Sequence, residues 1–355
     1  MNTEEKIKSA RLASVAAVVP PYCVSQSDAE VFVQKHYADK LSKRSLNIIH
    51  KALNHQSIQK RHFAFDNLEI LINEDADGRI KRFTDRAIEL SGNAIKKALS
   101  KTGLKVEDIT GLVVNTCTGY ICPGLSTYLI EKLGLNRNIK SFDLVGSGCG
   151  GAMPNFQICE ALLRESPDNI ILSVSVEICS ATFQMTNDPS QLISDSIFGD
   201  GAAASVLWNR PRGLELISSG SLYIPEYRED VRFVYKNGQL HNQLSTRLPN
   251  VAGKSVSELI KNLLKKSGLK INDIKHWALH PGGENVINAL RDEIGLSEEQ
   301  LHYTRSVLSK YGNMSSPTVM FILRDIIENG VNPGEWILAA SFGAGFSAHA
   351  YLLRK

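Results

Sequence analysis

Three short stretches of this chain hold residue types that do covalent chemistry. In Val145-Gly146-Ser147-Gly148-Cys149-Gly150-Gly151-Ala152 a strand-like run at 139–145 leads into Cys149. Behind it Ala152, Phe156, Cys159 and Leu163 recur at helical spacing. This is a nucleophile-elbow layout, in which glycines permit the sharp turn and let a substrate approach the backbone. A thiol at a helix N-terminus feels the positive end of the dipole, which favours the reactive thiolate. His280, in His280-Pro281-Gly282-Gly283, stands at a turn before a helix over Glu284–Ile294. Asn313, in Tyr311-Gly312-Asn313-Met314-Ser315-Ser316, precedes a helix expected over 314–329. An imidazole activates a thiol nucleophile, and an asparagine amide donates a neutral N–H to a developing oxyanion. Each residue also has an ordinary role open to it: a buried cysteine in a glycine-rich turn, a hydrogen-bonded histidine, a helix N-cap.

The elements that must position these residues read as a repeat. Gly103-Leu104-Lys105-Val106-Glu107-Asp108-Ile109 matches Gly268-Leu269-Lys270-Ile271-Asn272-Asp273-Ile274 at an offset of 165. Each copy follows an amphipathic helix. The first spans 84–101; the second is opened by a capping box, Ser255 with Glu258. Each copy precedes a strand, Gly111–Asn115 in one half and 277–279 in the other. Gly148-Cys149 pairs with Gly312-Asn313 at offset 164, and Gly199-Asp200-Gly201-Ala202 with Gly343-Ala344-Gly345-Phe346 at offset 144. Three matches in one order imply two related α/β halves, 1–210 and 211–355, meeting where Pro211 and Gly213 break the pattern. A pseudo-twofold then brings Cys149, Asn313 and His280 to strand ends around one cleft.

Composition narrows the function class. The chain has 355 residues, 43% hydrophobic and 22% charged, with a formal net charge of +3, too mild for nucleic acid binding. Its six cysteines form no CxxC pair, which fits neither a zinc site nor a disulfide scaffold and suits a reduced cytoplasm. The apolar run at 12–19, with Glu4 and Glu5 upstream, reads as a first strand and not a signal peptide, and nothing reaches transmembrane length. Residues 27–75 read as mainly helical, and the acidic stretch 73–78 as a surface loop.

The Gly148-Cys149, His280-Pro281-Gly282-Gly283 and Gly312-Asn313-Met314-Ser315-Ser316 contexts together resemble the three catalytic signatures of type III polyketide synthases, the chalcone and stilbene synthase family. Ile197-Phe198-Gly199-Asp200-Gly201-Ala202 and Thr116-Cys117-Thr118-Gly119 resemble that family's strand-entry and active-site-loop motifs, so the likeness runs from about residue 10 to the C-terminus. The resemblance implies a thiolase-like αβαβα fold, a homodimer, no metal or cofactor, and CoA thioesters used without a carrier protein. It implies that Cys149 takes the starter acyl group, while His280 and Asn313 stabilise the enolate formed when malonyl-CoA loses carbon dioxide. Phe198 matches a phenylalanine between the CoA tunnel and the cavity, where an aromatic wall excludes water. Cys117, Thr182 and Ser315 align with cavity-lining positions, and Cys122 with a residue that reaches into the partner subunit.

Two features depart from the plant pattern. Cysteine replaces a threonine at 117, and the second gatekeeper phenylalanine is missing, leaving His241 or Asn242 in its place. For CoA phosphates, Lys51, His55, Lys60 and Arg61 lie in the corresponding basic region, which also reads as a solvated basic face. The expected reaction is iterative decarboxylative condensation of an acyl-CoA with malonyl-CoA, giving a pyrone, resorcinol or related phenol. The rivals are a single-round ketoacyl synthase III-like condensation onto acyl carrier protein, a cysteine hydrolase, and a non-catalytic CoA-ester-binding scaffold.

Overall fold

The structure is a computed structural model that describes residues 10–236 and 238–355. Glu4, Glu5 and Asn237 lie outside the described residues. The first half runs β1 (Arg11–Val18), β2 (Tyr22–Ser25), α1 (Gln26–Tyr37), α2 (Lys43–Leu53), β3 (Lys60–Phe63), α3 (Ile70–Asn73) and α4 (Ala76–Ser100). It continues with β4 (Gly111–Asn115), α5 (Leu125–Leu133), β5 (Lys140–Leu144), α6 (Ala152–Glu165), β6 (Ile170–Glu177), α7 (Pro189–Ile197) and β7 (Gly201–Trp208). The second half holds β8 (Leu214–Tyr223), β9 (Val231–Lys236), β10 (Gln239–Leu244), α8 (Leu248–Lys266), β11 (Ile274–Leu279) and α9 (Glu284–Ile294). α10 (His302–Tyr311), α11 (Thr318–Glu328), β12 (Trp336–Gly343) and β13 (Ser347–Arg354) complete it.

Nine strands form one sheet in the order β11-β12-β13-β8-β1-β7-β6-β4-β5. The duplication is visible in its hydrogen bonds. β4 pairs parallel with β6, which pairs antiparallel with β7, which pairs antiparallel with β1. β11, β12, β13 and β8 repeat that series of one parallel and two antiparallel pairings. The series meet at β1–β8, where Arg11 also pairs with Glu215 at 3.1 Å. The matched heptapeptides fold alike: Gly103 and Gly268 take φ of 76° and 69°, and Asp108 and Asp273 accept from the Lys105 and Lys270 backbone N–H groups. β5 has no counterpart beyond β11.

Strand residues alternate between two apolar layers, as a period of two requires. On β4, Leu112 and Val114 pack under α4 with Phe83, Ala87 and Ile95, while Val113 joins a second core. On β12, Leu338 packs with Ile260 and Leu290 of α8 and α9, while Ile337 and Ala339 face that same second core. The shared core holds α6 and α11, with Met153, Phe156, Phe321 and Ile322 buried between strands of both halves. Helix, strand, helix, strand, helix is therefore the layering, as expected. A fourth cluster, Phe32, Val33, Ile49, Leu53, Phe63 and Phe65, seats α1, α2 and the β2–β3 hairpin as a cap. No described helix is long and apolar enough to cross a membrane.

Four local expectations are corrected. α4 starts at Ala76, about two turns before residue 84, because Asp75 caps it by accepting from the Gly78 N–H at 2.7 Å. Glu74, in the expected surface loop, is buried against Arg82 at 2.7 Å. Ser255 and Glu258 form no capping box, since α8 begins at Leu248 with a proline in its first turn and Ser255 is buried in its interior. Finally, α11 begins only at Thr318. Residues 313–317 form a turn in which Ser315 takes φ of 59°, a left-handed conformation costly for a residue other than glycine.

Candidate active site

β5 ends at Leu144, and one tight turn, Gly148–Gly150, carries Cys149 to the start of α6. The opposite half presses on that turn backbone to backbone. A Cβ on Gly343 would lie 2.2 Å from the Ser147 carbonyl oxygen and 2.4 Å from the Gly150 nitrogen, so only glycine fits. Ser341 Oγ adds a hydrogen bond to the Gly150 carbonyl at 3.2 Å. Burial pushes the Cys149 thiol up to about 12; a hydrogen bond from Ser315 opposes the shift and the Glu177 carboxylate reinforces it.

His280 directly follows β11, its N–H donating to the Ala340 carbonyl at 2.9 Å. The ring is 1% exposed and meets Phe342 edge to face, with centroids 5.3 Å apart. Among the described residues neither ring nitrogen has a hydrogen-bond partner. Burial pulls its pKa down to about 3. Desolvation therefore pushes both groups toward their neutral forms.

Asn313 is fixed at both ends. Its Oδ1 accepts from the Ser315 N–H at 2.7 Å, and its Nδ2 donates to the Gly282 carbonyl at 2.8 Å, two residues from His280. The amide orientation follows, and among the described residues one N–H stays free for another acceptor. Its backbone is pinned as well, accepting from Gly199 N–H and donating to Ile197 carbonyl in a bridge beside Phe198. Phe342 and Gly343, consecutive on β12, thus touch His280 and the Cys149 turn respectively, while Gly282 ties Asn313 to the same corner.

Cys117, Cys149, Thr182, Phe198, Asn242 and Ser315 border one cavity with free space of about 30 Å³, room for about two waters. Cys117 Sγ lies 3.4 Å from Ser315 Oγ. Of the two gatekeeper candidates, Asn242 lines this cavity and His241 does not. A second, mainly apolar cavity of about 50 Å³ lies behind it under the α1–α2 cap, with Cys179, Thr182 and Phe198 as the shared partition. Lys51, His55 and Lys60 are exposed on the α2 side and border neither cavity. Arg61 departs from the expected phosphate-binding role. It is 3% exposed and donates to the Gln26 side chain and to the Asp195 and Phe198 carbonyls, so its charge braces the backbone of Phe198. Cys122 is exposed between β4 and α5. Among the described residues no group of three His, Cys, Asp or Glu side chains converges as a metal site.

Sequence reasoning missed Glu177. Fully buried at the end of β6, it accepts from the Cys117 and Thr118 N–H groups, from the Thr116 and Thr118 hydroxyls, and through its other oxygen from Ser316. One carboxylate thereby holds the active-site loop against the turn that carries Asn313. The available signal was an acidic residue closing the otherwise uncharged strand Ile170-Ile171-Leu172-Ser173-Val174-Ser175-Val176-Glu177.

Comparison with known proteins agrees over the whole described length. Residues 18–216 match the FAE1/type III polyketide synthase-like family, and residues 215–355 match the C-terminal domain of chalcone and stilbene synthases. A 3,5-dihydroxyphenylacetyl-CoA synthase of Streptomyces toyocaensis is 28% identical over 312 residues, 84% of this chain and 80% of that protein. An alpha-pyrone synthesis polyketide synthase-like protein of Mycobacterium tuberculosis is 27% identical, covering 95% of this chain and 89% of its own. The crystal structure of a polyketide synthase from the brown alga Ectocarpus siliculosus superposes with a TM-score of 0.91 at 27% identity, over 99% of this chain and 100% of that one. That of the 1,3,6,8-tetrahydroxynaphthalene synthase of Streptomyces coelicolor does so at 0.89 and 23% identity, over 97% and 99%. With its elbow cysteine and its twice-repeated strand series, the chain belongs to the type III polyketide synthase family.

Proposed function

We propose that Cys149, His280 and Asn313 carry out repeated decarboxylative condensation of an apolar acyl-CoA starter with malonyl-CoA. The reaction class is that of the family: acyl transfer from CoA thioesters. His280, neutral at rest, takes the Cys149 proton as sulfur attacks the starter thioester. The tetrahedral intermediate expels CoA thiolate, which receives that proton. Malonyl-CoA then loses carbon dioxide, and the electron pair of the broken C–C bond becomes an enolate of acetyl-CoA. A His280 N–H and the free Asn313 N–H stabilise its oxygen. The enolate carbon attacks the acyl-Cys149 carbonyl, a C–C bond forms, and the C–S bond breaks to return sulfur for another round.

The observation that carries this reading is the Asn313 amide, locked by Ser315 and by Gly282, two residues from the buried His280, with one N–H left to donate. The cavity behind Cys179 and Thr182, lined by Phe32, Val33, Leu53 and Met185, supports an apolar starter tail. A pyrone, resorcinol or related phenol is the product class. A homodimer is part of the proposal: β5 is an edge strand exposed along most of its length, and Phe142, Val145 and Tyr120 stand exposed beside it and Cys122.

Incubation with short, long and aromatic acyl-CoAs and labelled malonyl-CoA, read by mass spectrometry, tests the proposal. Multiply extended products with apolar starters are expected. A single extension made only on acyl carrier protein would overturn it in favour of a ketoacyl synthase III-like enzyme. Light scattering gives the mass in solution, and a monomer refutes the dimer.

A further inference from the structure

The wall of the Cys149 cavity formed by β10 stands outside the main sheet, because among the described residues β10 pairs with β9 alone. Its other edge presents the backbone groups of alternate residues, 240, 242 and 244, toward α7 and the loop before it. Side chains satisfy them. Gln184 Nε2 donates to the Leu240 carbonyl at 2.7 Å, and Gln191 Oε1 accepts from the Asn242 N–H at 2.9 Å. Ser190 Oγ donates to the Asn242 carbonyl at 3.1 Å and accepts from the Leu244 N–H at 2.5 Å.

Gln191 does more than close this edge. It is 1% exposed, and its Nε2 donates to the Thr182 carbonyl at 3.3 Å and to Asp195 Oδ1 at 2.9 Å. Asn242 and Leu244 form one wall of the cavity, and Cys179 and Thr182 another. A single buried amide therefore ties both walls together. The enclosed space, about 30 Å³, is far below the roughly 300 Å³ or more that ligand pockets offer. An open cleft of about 590 Å³ shares Cys117, Gly148, Phe233 and Ala344 with this cavity, so a growing chain has room toward that cleft. Further room between the two walls comes from moving β10 outward, and the bonds that resist are those made by Gln184, Ser190 and Gln191.

We propose that Ser190 and Gln191 are positioning residues that clamp β10 over Cys149 and set how far the acyl chain extends before release. This rests on the reading that Cys149 holds the growing chain in this cavity. A tight clamp limits room and favours early cyclisation or release; a loosened one admits further malonyl units. Neither residue touches the reacting atoms.

The test is the ratio of longer to shorter products from one acyl-CoA starter, normalised to malonyl-CoA consumed and measured by mass spectrometry. Loss of folded enzyme alone does not move that ratio. Ser190→Ala, at a half-buried site, removes two bonds to β10 and should raise the ratio about fivefold, the population change that one net neutral hydrogen bond supports. Gln191→Ala should raise it at least as much, and Ser190→Thr, which keeps the hydroxyl, should hold the native ratio. If the native chain makes no multiply extended product, the underlying function fails. If it does, and Ser190→Ala and Gln191→Ala leave the ratio within about twofold or shift it to shorter products, the clamp is overturned.

Discussion

Replacing Asn313 separates its chemical role from its structural one. In Asn313→Ala the Ser315 N–H and the Gly282 carbonyl lose their partners, and the amide N–H proposed to reach the enolate is removed. Loss of one preorganised oxyanion donor typically costs about 10²–10³ in rate, roughly 3–4 kcal/mol. Asn313→Asp is the sharper probe. Its first oxygen can still accept from Ser315, but the second would face the Gly282 carbonyl at the 2.8 Å now bridged by a proton. As carboxylate it repels both that oxygen and the enolate. Protonated, its single O–H is spent on Gly282. Asn313→Asp should therefore be no faster than Asn313→Ala at any pH, with no recovery on acidification. Malonyl-CoA decarboxylation, followed as acetyl-CoA appearing without a starter, is the assay, with a thermal melt to certify folding. Either variant, folded and within about threefold of native turnover, would refute the assignment of Asn313 as an enolate donor.

Glu177→Gln should cost about 1–3 kcal/mol in urea unfolding, because the loop's donors then face a neutral amide. It should also let Cys149 ionise at lower pH, since the carboxylate's repulsion is gone; an iodoacetamide rate profile displaced to higher pH would contradict this. Arg82→Met should destabilise by about 3–5 kcal/mol by stranding the buried Glu74, and adding Glu74→Met should recover most of the loss; a double variant no more stable than the single one, in guanidinium unfolding, refutes it. His280 has a depressed folded pKa of about 3, so the unfolded chain binds the proton first, and stability falls as pH drops from about 6.5 toward 3. His280→Gln should lose less stability than the native chain between about pH 6.5 and 4.5; equal losses in denaturant midpoint would rule this out.

The site was readable where its chemistry is encoded in short local contexts. Glycines around Cys149 and Asn313 mark backbone that a Cβ would obstruct, and the heptapeptide repeat marks two copies of one turn between helix and strand. The rest depended on partners distant in sequence. Arg61 reads as a surface cation, yet the carbonyls of Asp195 and Phe198, more than a hundred residues away, bring it inside. Glu74 reads as loop until Arg82, two turns along α4, draws it in. Gln191 shows no signal, because an amide on a short helix gains meaning only from the strand edge it happens to meet. The false capping box failed for a related reason: Ser255 and Glu258 have the right spacing, but Pro249 and the buried Leu248 and Val251 had already begun α8 upstream.

The apposition of Gly343 with the Ser147–Gly150 turn bears on biosynthesis of the chain itself. Ser341 and Gly150 are 191 residues apart, and closing so long a loop is entropically slow compared with forming local helices. During synthesis, α6 and the first strand series have emerged long before β12 exists. Until β12 docks, the Cys149 turn lacks the glycine surface that presses it into shape, and the contact of His280 with Phe342 is not formed. A chain stopped short of β12 therefore carries the Cys149 thiol on an unsupported turn. Order at the Cys149 turn thus reports that β12 has been made and has docked.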